Sequence, residues 1–195
     1  ILRETLDRVR AHVDELTGDG LLLNKYRVLR TSGSSGLPRL VVLASDEWAI
    51  ISASFLRANE WAGLPSAIRS DQRRALVTTL LPWHLSGRLN LNFGDRQAVR
   101  LFNASGSLPD VIDGLNEWQP HSLVTYPSMV KVVLAEQVRG RLQIAPKTVV
   151  LSSELTTAAV RNRILDVWNA QAFDIYATTE TGLIAADCPS RRLHL

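Results

Sequence analysis

The segment RTSGSSGLPR, residues 30–39, has the residue types of this sequence best suited to binding an anion. It contains three serines, one threonine and two glycines. Hydroxyl groups and backbone N–H groups donate hydrogen bonds to phosphate oxygens, and glycines let the backbone approach such a group closely. Arg39 adds a fixed positive charge at the end of the segment. The composition therefore predicts an anion-binding loop, and a plain polar hairpin loop is the alternative.

The flanking residues indicate how this loop is placed. NKYRVLR (24–30) and RLVVLA (39–44) have the apolar character of strands, so a flexible linker does not fit. A Walker-type loop carries a Lys and a Ser or Thr after its last glycine and opens a helix. Here Gly36 is followed by Leu-Pro-Arg and then by a strand-like run. The segment is therefore predicted to be a loop between two strands.

A second candidate group is Glu180, in the stretch IYATTETG (175–182). A strand is predicted to end just before it, and open α/β sheets bind ligands at the carboxyl ends of their strands. A carboxylate at that edge is suited to hold Mg²⁺ on a bound nucleotide. A surface acid in an ordinary turn is the alternative.

The elements that must position these groups alternate between strand and helix from about residue 73. Strands are predicted at 73–81, 97–102, 121–126, 147–153 and 172–177. Helices are predicted between them, at 107–118 with Ser107 as its cap, at 127–140 and at 156–170. Short strands separated by helices of this length indicate an α/β fold with a mostly parallel sheet.

The first third of the chain follows a different pattern. It is predicted to hold an amphipathic helix at 1–17, the hairpin that carries the loop, and a helix at 45–62 capped by Ser45. The chain is accordingly divided into residues 1–72 and a βαβ subdomain at 73–195.

Composition bounds the class of protein. The chain has 195 residues, 46% of them hydrophobic and 21% charged, which is typical of a globular domain. Its net charge is +3 and its arginines are scattered along the chain, so a nucleic-acid partner is not expected. The single cysteine, Cys188, rules out an intrachain disulfide and fits a reducing cytoplasm. No apolar run approaches the ~18 residues of a membrane span, so no membrane association is expected.

The two motifs, in this order and separation, resemble those of the adenylate-forming superfamily of acyl-CoA ligases. The loop of that family reads T-S-G-S/T-T/S-G-x-P-K, and this sequence matches it at every position except the last. The family's Y-G-x-T-E motif is similar to Tyr176–Glu180. TYPSMVKVVL (125–134) and LSSELTTAAVRNRI (151–164) look like two segments between them, and the continuation GLIAADCPSRRLHL looks like the phenylacetate–CoA ligase branch. The resemblance covers about residues 24–195 and implies a fragment of the large N-terminal domain.

The resemblance implies an acid–thiol ligase that uses ATP and Mg²⁺ to form an acyl-adenylate, releases pyrophosphate, and passes the acyl group to coenzyme A. A small carboxylic acid, with an aromatic one favoured, is the implied substrate. The implied site residues are the phosphate cradle, the charge-balancing Arg39, the α-phosphate ligand Thr179, the Mg²⁺ ligand Glu180, an adenine pocket and an acyl pocket. The cradle comprises Thr31, Ser32, Gly33, Ser34, Ser35 and Gly36, the adenine pocket Ser153, Glu154 and Tyr176, and the acyl pocket His84 and Ala177.

Several departures from the family pattern leave alternatives open. Arg39 stands where the family has Lys, Ala177 where it has Gly, and Ser152-Ser153-Glu154 where the branch has Gly-Ala-Glu. The chain ends before the family's small C-terminal domain with its catalytic Lys, so these 195 residues alone are expected to adenylate poorly. A non-catalytic nucleotide-binding relative, an adenylation domain that loads a carrier-protein thiol, and a homodimer all stay open. An ordinary partly buried histidine is the alternative for His84.

Overall fold

The structure is a computed structural model that describes residues 2–31, 38–64, 72–91, 98–190 and 192–194. The helices are α1 (Leu2–Asp14), α2 (Ser45–Trp61), α3 (Leu85–Leu91), α4 (Leu108–Trp118), α5 (Pro127–Val138) and α6 (Ala158–Trp168). The strands are β1 (Arg27–Arg30), β2 (Leu40–Leu43), β3 (Arg74–Thr78), β4 (Val99–Asn103), β5 (Ser122–Thr125), β6 (Thr148–Ser152), β7 (Gln171–Thr178), β8 (Gly182–Asp187) and β9 (Leu193–His194).

A seven-stranded sheet in the order β4-β3-β5-β6-β7-β8-β9 forms the centre of the fold. The strands from β4 through β7 are parallel, whereas β8 and β9 are antiparallel to their neighbours, so the predicted mostly parallel α/β fold is confirmed. The chain leaves β3 for β4 on one side and then returns to β5 on the other. Ligands of open α/β sheets bind at such a reversal, which here lies between the carboxyl ends of β3 and β5.

Helices cover both faces of this sheet. On one face α4, α5 and α6 bury a continuous apolar core that includes Leu115, Val133 and Ile164. On the other face Ala58 of α2 and Ala62, which directly follows α2, pack against Phe173 and other apolar residues of the sheet. Strands are near-continuous apolar runs because both faces of a parallel sheet are buried.

The antiparallel pair β1 and β2 forms a separate two-stranded sheet, which confirms the predicted hairpin around residues 31–39. Leu29 and Leu43 of this hairpin pack with Ile51 of α2 and with Leu85 and Leu89 of α3. On its other side Val28 packs against Val9 and Val13 of α1. The hairpin is therefore held between α1, α2 and α3.

Two helix starts test the predicted caps. Ser107 caps α4 as predicted, because its side chain accepts a hydrogen bond from the Asp110 N–H. Ser45 was predicted as the cap of α2, and this is wrong. The cap is Ala44, whose backbone N–H donates to Glu47 Oε2 at 2.7 Å. The Glu47 carboxylate thus caps the helix at Ala44, one residue before the predicted cap, and Ser45 is already helical.

Two elements are absent from the sequence prediction. The helix α3 contains Gly87 and follows Pro82, residues that usually mark a turn. In the structure Gly87 is required by packing, because a Cβ atom there would lie 2.2 Å from the Leu81 carbonyl oxygen. No strand was predicted at the position of β8, which follows the last predicted strand at 172–177. Among the helices of the described residues, none is long and apolar enough to cross a membrane.

Candidate functional site

The carboxyl ends of the parallel strands β3, β5, β6 and β7 meet at one edge of the sheet, which we call the carboxyl edge. It comprises the residues that follow these strands, namely 79–84, 126–128, 153–154 and 179–181. His84, Ser153, Glu154, Thr179 and Glu180, all proposed as site residues on sequence grounds, lie along this edge. The parallel register of the strands explains why residues almost 100 positions apart in sequence share one edge.

The neck of the candidate phosphate loop lies beside this edge. Ser32, Gly33, Ser34, Ser35 and Gly36 are outside the described residues. At the neck, the Thr31 N–H donates to the Arg39 carbonyl at 3.0 Å, and the Arg39 N–H donates to Thr31 Oγ1 at 2.9 Å. The Thr31 hydroxyl thus helps to close the loop. Arg39 is exposed, and within the described ranges no carboxylate forms an ion pair with it.

Two contacts attach this neck to the segment after β3. The Arg30 N–H donates to the Trp83 carbonyl oxygen at 2.8 Å. The Arg30 guanidinium lies 4.0 Å from the centre of the Trp83 ring, a cation–π contact. Because His84 follows Trp83 directly, the loop neck and His84 are neighbours in space.

His84 takes part in a chain of hydrogen bonds at the reversal between β3 and β5. Its Nδ1 lies 2.9 Å from Ser86 Oγ, which lies 3.0 Å from Tyr126 Oη. The Tyr126 hydroxyl in turn accepts a hydrogen bond from the Thr79 N–H at 2.9 Å. Burial lowers the pKa of His84, so the neutral ring is favoured. Ser86 and Tyr126 were not singled out from the sequence; a tyrosine between a strand and a helix-opening proline was the available signal.

Glu154 connects the end of β6 to the start of α5. Its Oε2 accepts from the Ser128 N–H and its Oε1 accepts from the Ser128 hydroxyl, both at 2.7 Å. A carboxylate at a helix N-terminus satisfies free N–H groups and interacts favourably with the helix dipole. Ser153, directly before it, has a left-handed backbone with φ of 70° and is exposed. An adenine contact at Glu154 would therefore share a carboxylate that already positions α5.

Strand β7 carries Tyr176 and Ala177 toward the same edge. The pairing of β7 with β8 shifts register between these two residues. The Tyr176 ring is 58% exposed, whereas Ala177 packs against the apolar cluster beneath α2. Such an irregularity re-aims side chains at a strand end. It leaves an exposed aromatic ring beside the turn that holds Glu180.

Thr179 and Glu180 lie in the tight turn between β7 and β8, after a strand that runs parallel to its neighbour, as predicted. Thr178 Oγ1 accepts from the Thr181 N–H at 3.2 Å and lies 2.8 Å from the Thr181 hydroxyl, which fixes the turn. Glu180 is exposed at its tip. No salt bridge joins Glu180 to a residue that the structure describes.

Helix α2 connects this turn to the loop hairpin. Gly182, at the end of the turn, has φ of 72°, and a Cβ atom there would lie 2.9 Å from Ile51 Cγ1. Ile51 also packs with Leu29 and Leu43 of β1 and β2. One side chain therefore contacts both the hairpin with the candidate phosphate loop and the hairpin with the candidate metal ligand.

The donor set fits a magnesium ion bound together with phosphates. Within the described residues no three His, Cys, Asp or Glu side chains are grouped so that they could hold a metal ion by themselves. Mg²⁺ on nucleotides is usually held by one or two carboxylates together with substrate phosphates. An exposed carboxylate such as Glu180 is able to supply the protein's part of such a ligand set.

Cys188 and His194 form a separate pair beyond the end of β8. His194 Nε2 lies 3.2 Å from Cys188 Sγ, and a hydrogen bond from the Arg192 backbone lowers the pKa of the thiol. Two ligands do not complete a zinc site, so the pair is not assigned to a metal.

Comparisons with known proteins give the fold. No family model matches the sequence, and no curated protein matches it either. Among solved structures, an open conformation of 2-hydroxyisobutyryl-CoA ligase in complex with 2-HIB-AMP and CoA is 15% identical, with a TM-score of 0.67 over 94% of this chain and 41% of that one.

Two further enzymes share the architecture. The luciferase-like enzyme from the nonluminescent mealworm Zophobas morio is 16% identical, with a TM-score of 0.62 over 89% of this chain and 38% of that one. The Bacillus subtilis O-succinylbenzoate coenzyme A synthetase, in complex with ATP and magnesium, is 18% identical, with a TM-score of 0.60 over 84% of this chain and 32% of that one. The chain thus spans about two fifths or less of these proteins, and at such identities the likeness shows the fold.

Proposed function

We propose that this chain, which has the fold of the large domain of adenylate-forming acyl-CoA ligases, contributes the nucleotide site of an enzyme that activates a carboxylic acid as its acyl-adenylate. The acid carboxylate would attack the α-phosphate of ATP. A carboxyl oxygen–phosphorus bond forms, the bond between the α-phosphorus and the bridging oxygen breaks, and pyrophosphate leaves with that oxygen. The acyl group then passes to a thiol, for which coenzyme A is the proposed acceptor.

The observation that carries this proposal is the common position of the two hairpins. Thr31 and Arg39, the described neck of the candidate phosphate loop, adjoin β1 and β2, and Glu180 lies in the turn between β7 and β8. Ile51 packs against both hairpins, and Arg30 joins the loop neck to the carboxyl edge. The loop neck and Glu180 thus both adjoin the edge at which open α/β sheets bind ligands, which supports a nucleotide site there.

Each proposed residue has a role set by its chemistry. Attack of one anion on another is slow unless charge is offset and the two groups are held in place. Residues 31–36 would bind the β- and γ-phosphates, and Arg39 would offset their charge. Thr179 would donate a hydrogen bond to the α-phosphate, whose developing charge it stabilises. Glu180 would hold the magnesium ion, which when bound neutralises charge on the phosphates.

The adenine and acid pockets are assigned along the same edge. Tyr176 has an exposed aromatic ring on which a base can stack, and Ser153 and Glu154 follow the neighbouring strand. His84 and Ala177 would border the acid, for which an aromatic carboxylate is proposed. The 2-hydroxyisobutyryl-CoA ligase structure holds an acyl-AMP and CoA, and the Bacillus enzyme holds ATP and magnesium, which supports this assignment of ligands.

The experiment is carboxylate-dependent exchange of labelled pyrophosphate into ATP, run on the longest natural form of the chain with a panel of aryl and short aliphatic acids. We expect exchange with one class of acid and its loss in Glu180→Gln, which removes the charge and keeps the shape. Glu117→Gln is the matched control, because Glu117 is an exposed carboxylate on α4, on a helix that packs against the sheet away from the loop hairpin.

Two outcomes would contradict the proposal. If exchange were unchanged in Glu180→Gln, Glu180 would have no role in the mechanism. Measurable Mg·ATP binding without exchange for any acid would leave a nucleotide-binding protein without adenylation chemistry.

A further inference from the structure

The hydrogen bonds that reach His84 have a direction that can be worked out from their donors. A backbone N–H can only donate, so the Thr79 N–H fixes one end of the chain at the Tyr126 hydroxyl oxygen, 2.9 Å away. Thr79 is the first residue after β3, and this N–H therefore lies beyond the sheet ladder. The Tyr126 oxygen, with one lone pair occupied, still carries its own proton.

That proton has one acceptor within the described residues. Ser86 Oγ lies 3.0 Å from Tyr126 Oη. Apart from Ser86 and the Thr79 N–H, no described residue forms a hydrogen bond with the Tyr126 hydroxyl. When Tyr126 donates to Ser86, the Ser86 hydroxyl has its own proton left for His84 Nδ1, 2.9 Å away. The opposite direction would leave the Tyr126 proton without a described acceptor. Each direction leaves one donor without a described partner: the Tyr126 hydroxyl in the opposite direction and the His84 Nε2–H in the forward one. The forward direction is favoured because the Tyr126 oxygen then accepts one hydrogen bond and donates one, whereas in the opposite direction it would accept two and donate to no described group.

We propose that Ser86 and Tyr126 are positioning residues that hold His84 as the neutral tautomer with its proton on Nε2, so that it donates a hydrogen bond to the carboxylate of the acid substrate. A neutral imidazole that accepts at Nδ1 must carry its proton on Nε2. No residue in the described part of the chain hydrogen-bonds His84 Nε2, so this N–H is available to a ligand. The part concerning the acid rests on the function proposed above.

The chemistry of the reaction explains why a neutral donor suits this position. The carboxylate must stay unprotonated to act as a nucleophile, and an imidazolium beside it could protonate it or hold it in a tight ion pair. A neutral N–H orients one oxygen of the carboxylate and leaves its charge in place. Burial of His84 disfavours the charged ring in the same sense.

The position of His84 agrees with this role. The Arg30 N–H to Trp83 carbonyl bond places the residue before His84 against the neck of the candidate phosphate loop. A carboxylate held by Nε2 would therefore lie near the reversal of the sheet and the neck of the candidate phosphate loop. Ser86 and Tyr126 act through His84 in this arrangement, and neither is assigned to touch the reacting atoms.

The first test reads the tautomer directly, by ¹⁵N–¹H long-range correlation NMR on the chain with labelled histidine near pH 7.5. The sequence has four histidines, and His84→Gln assigns the signal. We expect the pattern of an Nε2-protonated neutral ring, and its replacement by a tautomer mixture in Ser86→Ala and Tyr126→Phe. Ser86→Thr keeps the hydroxyl and should retain the pattern. Ser54→Ala and Tyr26→Phe are matched controls away from His84, expected to leave it unchanged.

The second test uses benzoate as the probe, with benzyl alcohol as the uncharged comparison. Benzoate should shift the His84 Nε2–H signal and benzyl alcohol should not, and Ser86→Ala should weaken benzoate binding by about threefold to tenfold, the value of one hydrogen bond. A cationic or Nδ1-protonated His84 ring in the unaltered chain would overturn the proposal. An Nε2–H signal of His84 that benzoate does not shift would overturn it as well. Both tests read His84 without any turnover, so absence of pyrophosphate exchange alone would count against the proposed function and not against the tautomer.

Discussion

The N-terminal region, residues 2–31 and 38–64, and the sheet block, residues 72–91, 98–190 and 192–194, differ in how they are held. The sheet block has a large apolar core of its own, formed between the sheet and α4, α5 and α6. Each of the three apolar clusters that include residues of the N-terminal region also includes side chains of the sheet block. The N-terminal region therefore depends on the block for its packing, and the main core of the block does not depend on the N-terminal region.

The candidate site is divided between these two parts. Thr31 and Arg39, the neck of the proposed phosphate loop, belong to the N-terminal region, whereas Glu180, His84 and Tyr176 belong to the sheet block. A few side chains join the two, chiefly Arg88 and Ile51. Changes at these contacts should alter the site without touching a ligand, and they provide the tests of the comparison.

The largest effect is expected at Arg88, whose side chain is fully buried. Its guanidinium donates to the carbonyls of Gly18 at 3.0 Å, Gly20 at 2.7 Å and Pro82 at 3.3 Å, and its Nε lies 3.0 Å from Asp19 Oδ1. Arg88→Met keeps the length of the side chain but leaves these oxygens without a partner. We expect the free energy of unfolding to fall by about 3–5 kcal/mol in urea denaturation.

The matched control for this change is Arg100→Met. Arg100 pairs with Glu117 on the surface of the sheet block, where the two side chains are 40% and 72% exposed. An exposed pair of this kind contributes about 0.2–1 kcal/mol. If Arg88→Met lost no more stability than Arg100→Met, Arg88 would not hold the N-terminal region to α3. That result would contradict the dependence of the N-terminal region on the sheet block.

The next effect is expected at Gly182, where α2 meets the turn that carries Glu180. Gly182→Ala places a methyl group 2.9 Å from Ile51 Cγ1 at a backbone φ of 72°. We expect a loss of about 1–3 kcal/mol in unfolding free energy and weaker Mg·ATP binding by calorimetry, because the turn must move relative to the loop hairpin. Gly140→Ala is the control, since Gly140 also has a positive φ, of 77°, but nothing within 4 Å.

A double substitution separates contact from backbone strain. Ile51→Ala removes the atoms that an alanine at 182 would meet, so the two changes together should cost less than the sum of each alone. Additive losses would show that the backbone strain at position 182 accounts for the whole effect. In that case Ile51 would not transmit the position of one hairpin to the other.

The part of the fold that the sequence predicts best is the part whose signals are local. The helix at 107–118 has its cap, its proline in the first turn and its apolar stripe within twelve residues, and α4 occupies Leu108–Trp118. Strands β3 to β7 lie within one to three residues of their predicted positions, since buried parallel strands are continuous apolar runs. The placement of Glu180 after a parallel strand follows from the same signals.

The features that the sequence did not predict depend on partners distant along the chain. Gly87 looks like a helix breaker until the Leu81 carbonyl is seen against it, so α3 was missed. Tyr126 and Ser86 are 40 residues apart, and only the register of β3 with β5 brings them together. Arg88 has no local pattern that distinguishes it from the other arginines, because its partners at 18–20 belong to the other part of the molecule.

The smallest effect is expected at Glu136, which lies wholly inside the sheet block. Its carboxylate is buried and accepts hydrogen bonds from Arg139 and Arg141, which lower its pKa from 4.5 to about 2, with Arg141 the larger cause. Because the folded pKa is depressed, the unfolded chain binds the proton first as the pH falls. The carboxylate therefore stabilises the fold above pH 4.5, and this stabilisation is lost between pH 4.5 and about 2.

Glu136→Gln tests this pH dependence at a contact that lies wholly within the sheet block. The difference in unfolding free energy between the unaltered chain and Glu136→Gln should be largest at neutral pH and should shrink as the pH is lowered from 4.5 to about 2. The difference should be modest, because both arginine side chains are more than 60% exposed and their charge is screened. Arg141→Met should remove most of the same pH dependence, and a difference that stayed constant down to pH 2 would contradict the assignment. Mg·ATP binding at neutral pH should be unchanged in both variants, because neither residue lies at the contacts between the sheet block and the N-terminal region.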